Sequence, residues 1–467
     1  MEDFLVKVSK LNVFPLLVIG AAGLCSGAAV LAEGAAAKAL GLATIEAVPL
    51  TESGILNAMT EGSKYSTDRP IGYAIAALEG DFPQNLQLEQ ASLDAILSEV
   101  ASYTKLNFVD LGIFESYEEA RNSGATIILF SDQSESAFDP DDDVDTGAAG
   151  FYPDAPENEG TLLNGFIVIN ENAWGGVNGE PPVPGTFSYL ARIHELGHVF
   201  GLKHPHDDAG TERPTFEEVN AGGLDDRAYT VMSYENFEFV SAEDTPSVDP
   251  LTYMPLDILS LMYLYGINET HNSNDNIHTI NTNDGRKAIY DSGGSDTVDA
   301  YSVSTDLKIS LPWSYPISLV DVPLGSVKSL SELDQPFITW LLGDYENVVS
   351  GSGDDQIQGN KNDNILNGGP GDDTIDCFEG NDIMIGGDGA DIFIFRDVPG
   401  ANVIVDYELG IDKVVFTGPG GLDDGTPAPE IEFEITNDGD TLIRSASGLQ
   451  VTIEGIDASV FREDFKR

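Results

Sequence analysis

Cysteine is almost absent: Cys25 and Cys377 are the two in 467 residues, far apart in the chain. Two isolated thiols make neither a disulfide framework nor a cysteine metal cluster, and they fit either redox compartment. Basic side chains are scarce as well, with 22 lysines and arginines against 79 acids and a net charge of −57. Such a chain is repelled by nucleic-acid phosphates and by anionic membrane surfaces, so no nucleic-acid partner is expected. The acid excess points instead to bound cations, to a salty habitat, or to both. Long apolar runs are missing after residue 45, so everything beyond it reads as soluble. Histidine is rare too, with six in all.

What is present begins with a separate leader. Residues 11–32, LNVFPLLVIGAAGLCSGAAVLA, carry no charge. They read as a signal-peptide core, as a membrane span, or as a short pro-segment or buried helix. The flanking MEDFLVKVSK mixes two acids with two lysines, and the three readings stay open. The whole chain is 41% hydrophobic, enough for packed cores, and its length calls for two or three domains. Residues 46–85 mix turn residues with short apolar runs and resist assignment. QLEQASLDAILSEVASYT (87–104) predicts a helix, because Leu93, Ile96, Leu97 and Val100 recur at three- and four-residue spacing. LNFVDLG, ATIILFS, AAGFYP and NGFIVIN predict strands. The acidic run 139–147 lacks the glycine and terminal glutamate of an EF-hand loop and reads as a solvated loop. After LMYLYGIN (261–268) the composition turns polar and Asn-rich, then settles into short strands and Asp/Gly turns. No helix is expected there until the last ten residues or so.

Three of the six histidines fall inside eleven positions, in RIHELGHVFGLKHP (192–205). Thr186 or Ser188 caps a helix running through this stretch. His194 and His198 are four apart and therefore lie about 40° apart on one helical face. Two imidazoles so placed grip one metal ion. Gly201 lets the chain take a positive φ and leave the helix, and His204 then reaches the same ion from outside. Three neutral imidazoles leave a fourth position open, as catalytic zinc requires. Glu195 projects beside it, placed to take a proton from water at that position.

HELGHVFGLKH resembles the zinc motif of the metzincin proteases, and the following Pro205 resembles the serralysin branch. TVMSY (230–234) resembles the Met-turn of those enzymes. The resemblance implies that Met232 forms the base under the zinc. It also implies that Tyr234 is a further zinc ligand in the resting enzyme and an oxyanion donor once substrate binds. PLDILSLMYLYG (255–266) resembles the helix that closes the catalytic domain. His206 departs from the small residue usual there and reads as a surface side chain, as do His271 and His278.

From Ser350 the sequence cuts into five nonapeptides, SGSGDDQIQ, GNKNDNILN, GGPGDDTID, CFEGNDIMI and GGDGADIFI. Position six is Asp355, Asn364, Asp373, Asp382 and Asp391; position eight is Ile357, Leu366, Ile375, Met384 and Phe393. The Gly/Asp half makes a turn whose carbonyls and carboxylates face inward, and the apolar half makes a short strand. Stacked turns hold Ca²⁺ between them, because hard oxygen donors suit that ion; without it the carboxylates repel. The pattern resembles the RTX calcium β-roll of serralysins. The calcium ligands so implied are the five position-six residues and Gly351, Gly353, Gly369, Gly371, Gly380, Gly387 and Gly389. The Asn-rich second repeat is expected to bind more weakly. Cys377–Phe378 in the fourth suggests an end or a distorted turn. Upstream, DSGGSDTVDA (291–300) resembles the half-repeat placed before the roll, with Asp291 and Asp296 as further calcium ligands. The tail ends in Asp464–Phe465 and resembles a type I secretion signal, apart from the final Lys466–Arg467.

The expected fold is α+β: a metzincin-type zinc protease domain, then an all-β parallel β-roll. The boundaries read as a leader at 1–45, a protease domain at 46–268, a β-rich connection at 269–349, the roll at 350–395 and a C-terminal β region at 396–467. The expected function is a secreted, extracellular, monomeric zinc endopeptidase stabilised by several calcium ions, acting on protein or peptide substrates and exported by type I machinery. The alternatives are an inactive calcium-binding surface or adhesion protein, and a protease held at the membrane by residues 11–32.

Overall fold

The chain divides between Asn268 and Glu269 into two units, each described by itself. The structure, a computed structural model, describes residues 43–76, 86–132, 148–153, 165–170, 182–207, 213–235, 249–281, 285–313, 322–330, 337–421 and 426–465. The 11–32 leader, the acidic 139–147 loop and the last two residues lie outside them.

In the first unit β1 (Ile45–Ala47) pairs antiparallel with β2 (Ser63–Tyr65). Between them sits α1 (Gly54–Met59), capped by the Ser53 side chain, which accepts from the Leu56 N–H. The main sheet holds β3 (Ile71–Ala76), β4 (Phe108–Phe114), β5 (Ile127–Asp132), β6 (Ala148–Gly150) and β7 (Phe166–Asn170) in the order β4-β3-β5-β7-β6. All neighbours are parallel except β6, which runs antiparallel to β7 at the sheet edge. The helix α2 (Leu86–Tyr103) joins β3 to β4, and its Leu93, Ile96, Leu97 and Val100 stripe is buried as the periodicity predicts. The short α3 (Tyr117–Asn122) follows β4, capped by Ser116. Segment 46–85 thus holds four elements that pattern reading leaves unassigned. They are three to six residues long, too short for a period to show, and β3 spends half its length on Gly and Ala. The strand expected in AAGFYP stops at Gly150.

Two long helices complete this unit: α4 (Phe187–Val199) and α5 (Pro255–Tyr265). Thr186 caps α4, its side chain accepting from the Tyr189 N–H at 3.2 Å. Arg192 on α4 and Glu89 on α2, each 3% exposed at the side chain, form a two-pronged ion pair that ties the helices together. Breaking such a pair from one side costs about 3–5 kcal/mol, because the other charge stays buried.

The second unit is a stack of short strands in an eight-stranded and a nine-stranded sheet. Successive nonapeptides alternate between the two. Ile357 faces Ile375, which faces Phe393, on one sheet; Leu366 faces Met384 on the other. All five position-eight side chains are buried in one core. The ladder continues past the repeats, upstream through Val348 and Val298 and downstream through Val414 and Ile404. Cys377–Phe378 neither ends nor breaks it. Phe378 takes a left-handed φ of 71°, matching Gly387 at the same repeat position (φ 106°), and the register carries on. The Arg396 guanidinium, 4.0 Å above the Phe378 ring, helps hold that residue in a conformation costly for a side chain. An antiparallel meander (Ile431–Ile435, Thr441–Ser445, Leu449–Ile453) and the helix α6 (Ala458–Phe465) finish the chain.

Candidate metal centre

α4 presents His194 and His198 on one buried face. Gly201 follows with φ 88°, and an added Cβ would sit 2.4 Å from the Ser63 carbonyl oxygen, so only glycine makes this turn. The reversal returns His204 to the helix. His204 Nε2 lies 3.0 Å from His194 Nε2 and 3.1 Å from His198 Nε2.

The other ring nitrogens settle what these three atoms are. His194 Nδ1 donates to the Val231 carbonyl at 2.8 Å, His198 Nδ1 to the Leu202 carbonyl at 2.9 Å, and His204 Nδ1 to the Asp207 carboxylate at 2.7 Å. With Nδ1 carrying the proton, every Nε2 presents a lone pair. Burial, followed by the neighbouring imidazoles, holds His194 down to about 3 and His198 well below its ordinary value, so both stay neutral. Three converging lone pairs repel one another unless a cation lies between them. The donor set fits zinc, with second-sphere acceptors already orienting the rings.

Glu195, next to His194, is half-buried, and burial pushes its carboxyl up to about 8, offset in part by the N–H of Gly150 donating to it. Gly150 ends β6, and a Cβ there would lie 2.2 Å from the Glu195 carbonyl oxygen. The outermost strand of the sheet, as described, and Glu195 are therefore held together. Tyr234 is 57% exposed, and its hydroxyl lies 2.9 Å from His204 Nε2.

Met232 is fully buried beneath α4, where a Cβ on Gly197 would lie 2.5 Å from its sulfur. Its turn hangs on Asp257 of α5, whose carboxylate accepts from the Thr230 hydroxyl (2.5 Å) and the Val231 and Met254 N–H groups (2.7 and 3.0 Å). Burial, opposed by those three bonds, leaves Asp257 raised to about 7. Gly150, Asp207 and Asp257 are the residues of this site that motif reading missed. Asp257 alone had a cue, as the one acid in an otherwise apolar PLDILSLMYLYG. His206 is an exposed side chain, as expected, stacked 5.1 Å from His204.

In the second unit the position-six side chains line up. One oxygen of each carboxylate accepts the N–H of an earlier position six: Asp373 from Asp355 (2.8 Å), Asp391 from Asp373 (2.9 Å) and Asp382 from Asn364 (2.9 Å). The other oxygen of Asp373, Asp382 and Asp391 is buried without a partner. Burial raises Asp373 and Asp382 to about 7 and Asp391 to about 6. Orphaned buried carboxylate oxygens among inward-facing carbonyls fit a hard cation. The carbonyls approach closely: a Cβ on Gly387 or Gly389 would lie 1.9 or 1.8 Å from the Gly369 or Gly371 oxygen. The same construction sets Gly369 and Gly371 against the Gly351 and Gly353 carbonyls, and Gly380 against Asn362. Asp355 differs, since the Ser350 hydroxyl and Gly351 N–H occupy its second oxygen. Asn364 differs too, its amide closing on Asn360 at 3.0 Å. Asp291 and Asp296 are both fully buried, and His278 joins them: it is not a free surface residue, because its Nε2 lies 2.7 Å from Asp291.

The RTX calcium-binding nonapeptide repeat, in four copies, matches residues 346–376 and 378–395. Serralysin of Proteus mirabilis is 29% identical over 339 residues, 66% of this chain and 63% of that protein. Metallopeptidase AprA of Pseudomonas marginalis is 34% identical over 295 residues, 57% of each chain. Serralysin G of Dickeya chrysanthemi is 29% identical over 270 residues, 54% of this chain and 51% of that protein. The chain spans about half to just under two thirds of the length of these relatives.

Proposed function

We propose that this serralysin-type chain with RTX calcium-binding repeats is a secreted zinc endopeptidase that cleaves peptide bonds in proteins. One observation carries the reading: the imidazole nitrogens of His194 and His198 converge on that of His204 at 3.0 and 3.1 Å, beside a half-buried carboxylate and an exposed phenol. Zinc held by His194, His198 and His204 supplies Lewis acidity toward water and the scissile carbonyl. The remaining work falls to the chain. An extended substrate pairs with the outer edge of β6, which has no partner strand among the described residues. Glu195 takes a proton from the attacking water and returns it to the leaving amine. Tyr234, exposed and hydrogen-bonded to His204, swings to donate its O–H to the developing oxyanion. Asp373, Asp382 and Asp391 would hold calcium, which would neutralise the carboxylate ladder and let the roll form, as fits a protein that folds outside the cell.

The test is casein hydrolysis by purified protein of measured zinc content, with and without a zinc chelator in excess calcium. Stoichiometric zinc and chelator-sensitive cleavage support the reading. Folded, calcium-loaded protein that holds no zinc and cleaves nothing leaves a calcium-binding surface module.

A further inference from the structure

The second unit brings His278, Asp291 and Asp296 together ahead of the five repeats. Strand Ile277–Thr279 lies parallel beside Thr297–Asp299, with His278 opposite Val298, and Asp291 ends the strand Arg286–Asp291. Ligand atoms of the three side chains lie within 4.8 Å of one another. The two aspartates are 0% exposed. Asp291 uses one oxygen to accept the Gly293 N–H at 3.0 Å and turns the other to His278 Nε2 at 2.7 Å. Asp296 accepts the Asn276 N–H at 2.8 Å with one oxygen. Its other oxygen is buried beside the Asp291 carboxylate, with no hydrogen-bond donor to it among the described residues. A third carboxylate, Glu346, accepts the Asp296 N–H at 2.7 Å. A protonated His278 would balance one of these charges and still leave the bare oxygen of Asp296 unanswered, which points to a cation.

Resemblance gave Asp291 and Asp296 to calcium and left His278 at the surface. An imidazole among the donors changes which ion fits. Calcium takes oxygen donors, whereas imidazole nitrogen with carboxylate oxygen suits zinc and its first-row neighbours. We propose that His278, Asp291 and Asp296 form a structural site for a divalent transition ion of the zinc class. It is separate from the His194 cluster and independent of the peptidase reading.

The experiment dialyses the calcium-saturated full-length chain against Zn²⁺ and counts bound zinc and calcium by mass spectrometry. The His278→Gln variant is expected to hold one zinc equivalent fewer than the wild type, whatever the His194 cluster holds. His278→Asp, with oxygen donors only, is expected to lose the same zinc and gain one calcium equivalent. In the wild type, Co²⁺ is expected to shift the His278 ring proton resonances, which tests the site even if both variants misfold. A zinc count unchanged in His278→Gln, or His278 resonances untouched by saturating cobalt, overturns the site. Loss of casein cleavage in the wild type would strike the peptidase reading and leave this one standing.

Discussion

Single side chains carry the chemistry, and two of them give sharp tests. Removing the carboxylate in Glu195→Ala takes away the proposed proton carrier but none of the three imidazoles. Hydrolysis should fall by about 10²–10⁴-fold, the usual worth of general acid–base catalysis, with zinc content unchanged. Cleavage at the wild-type rate would remove Glu195 from the mechanism. Glu99 tests burial instead. It lies beneath α5, accepts the Tyr253 N–H at 3.0 Å, and burial raises it from 4.5 to about 8. Between those two pH values the native state keeps a proton that the unfolded chain has lost. Stability therefore falls as pH rises, by at most about 1.4 kcal/mol per pH unit from this group, and is flat outside the window. Glu99→Gln keeps the acceptor and removes the charge. Its melting temperature should exceed that of the wild type by more at pH 8 than at pH 5; an equal gain at both would mean that the carboxyl is not so perturbed.

At the scale of elements, β6 against α4 is the contact that sets the site. The Gly150→Ala substitution drives a methyl into the Glu195 carbonyl, and no rotamer relieves a clash with backbone. A loss of about 1–3 kcal/mol in urea unfolding is expected, with slower hydrolysis. Unchanged stability would show that the strand does not press on the helix. This contact also marks what was legible beforehand. Thr186, the two helical histidines, Gly201 and His204 belong to one continuous stretch: helix geometry sets His194 beside His198, and the Gly201 reversal returns His204 to them. Asp257 and Gly150 act from more than thirty residues away, through a hydrogen bond and a close approach that leave no period in the sequence. The nonapeptide roll was readable because every rung repeats the same local rule. His278 was not, since it lies outside the repeats, thirteen residues before its partner Asp291. Short elements such as α1 and β1 escaped for a different reason: their stability comes from contacts across the fold rather than from their own composition.

Across the whole molecule the net charge of −57 must be offset, and the buried aspartates concentrate the problem in the second unit. Asp373→Ala removes one stacked carboxylate and should raise the calcium concentration at the folding midpoint, read by circular dichroism. An unchanged midpoint would count against calcium at that turn. The same ladder has a polarity. The amide of Asp355 waits for the carboxylate of Asp373, that of Asp373 for Asp391, and that of Asp391 for Asp412. At position six each rung is finished by one farther along the chain, whereas at position five the amides of Asp372, Asn381 and Ala390 turn back to the side chains of Asp354, Asp363 and Asp372. The turns are therefore stitched in both directions: clipping the late rungs strips acceptors from the position-six amides before them, and clipping the early rungs strips acceptors from the position-five amides after them.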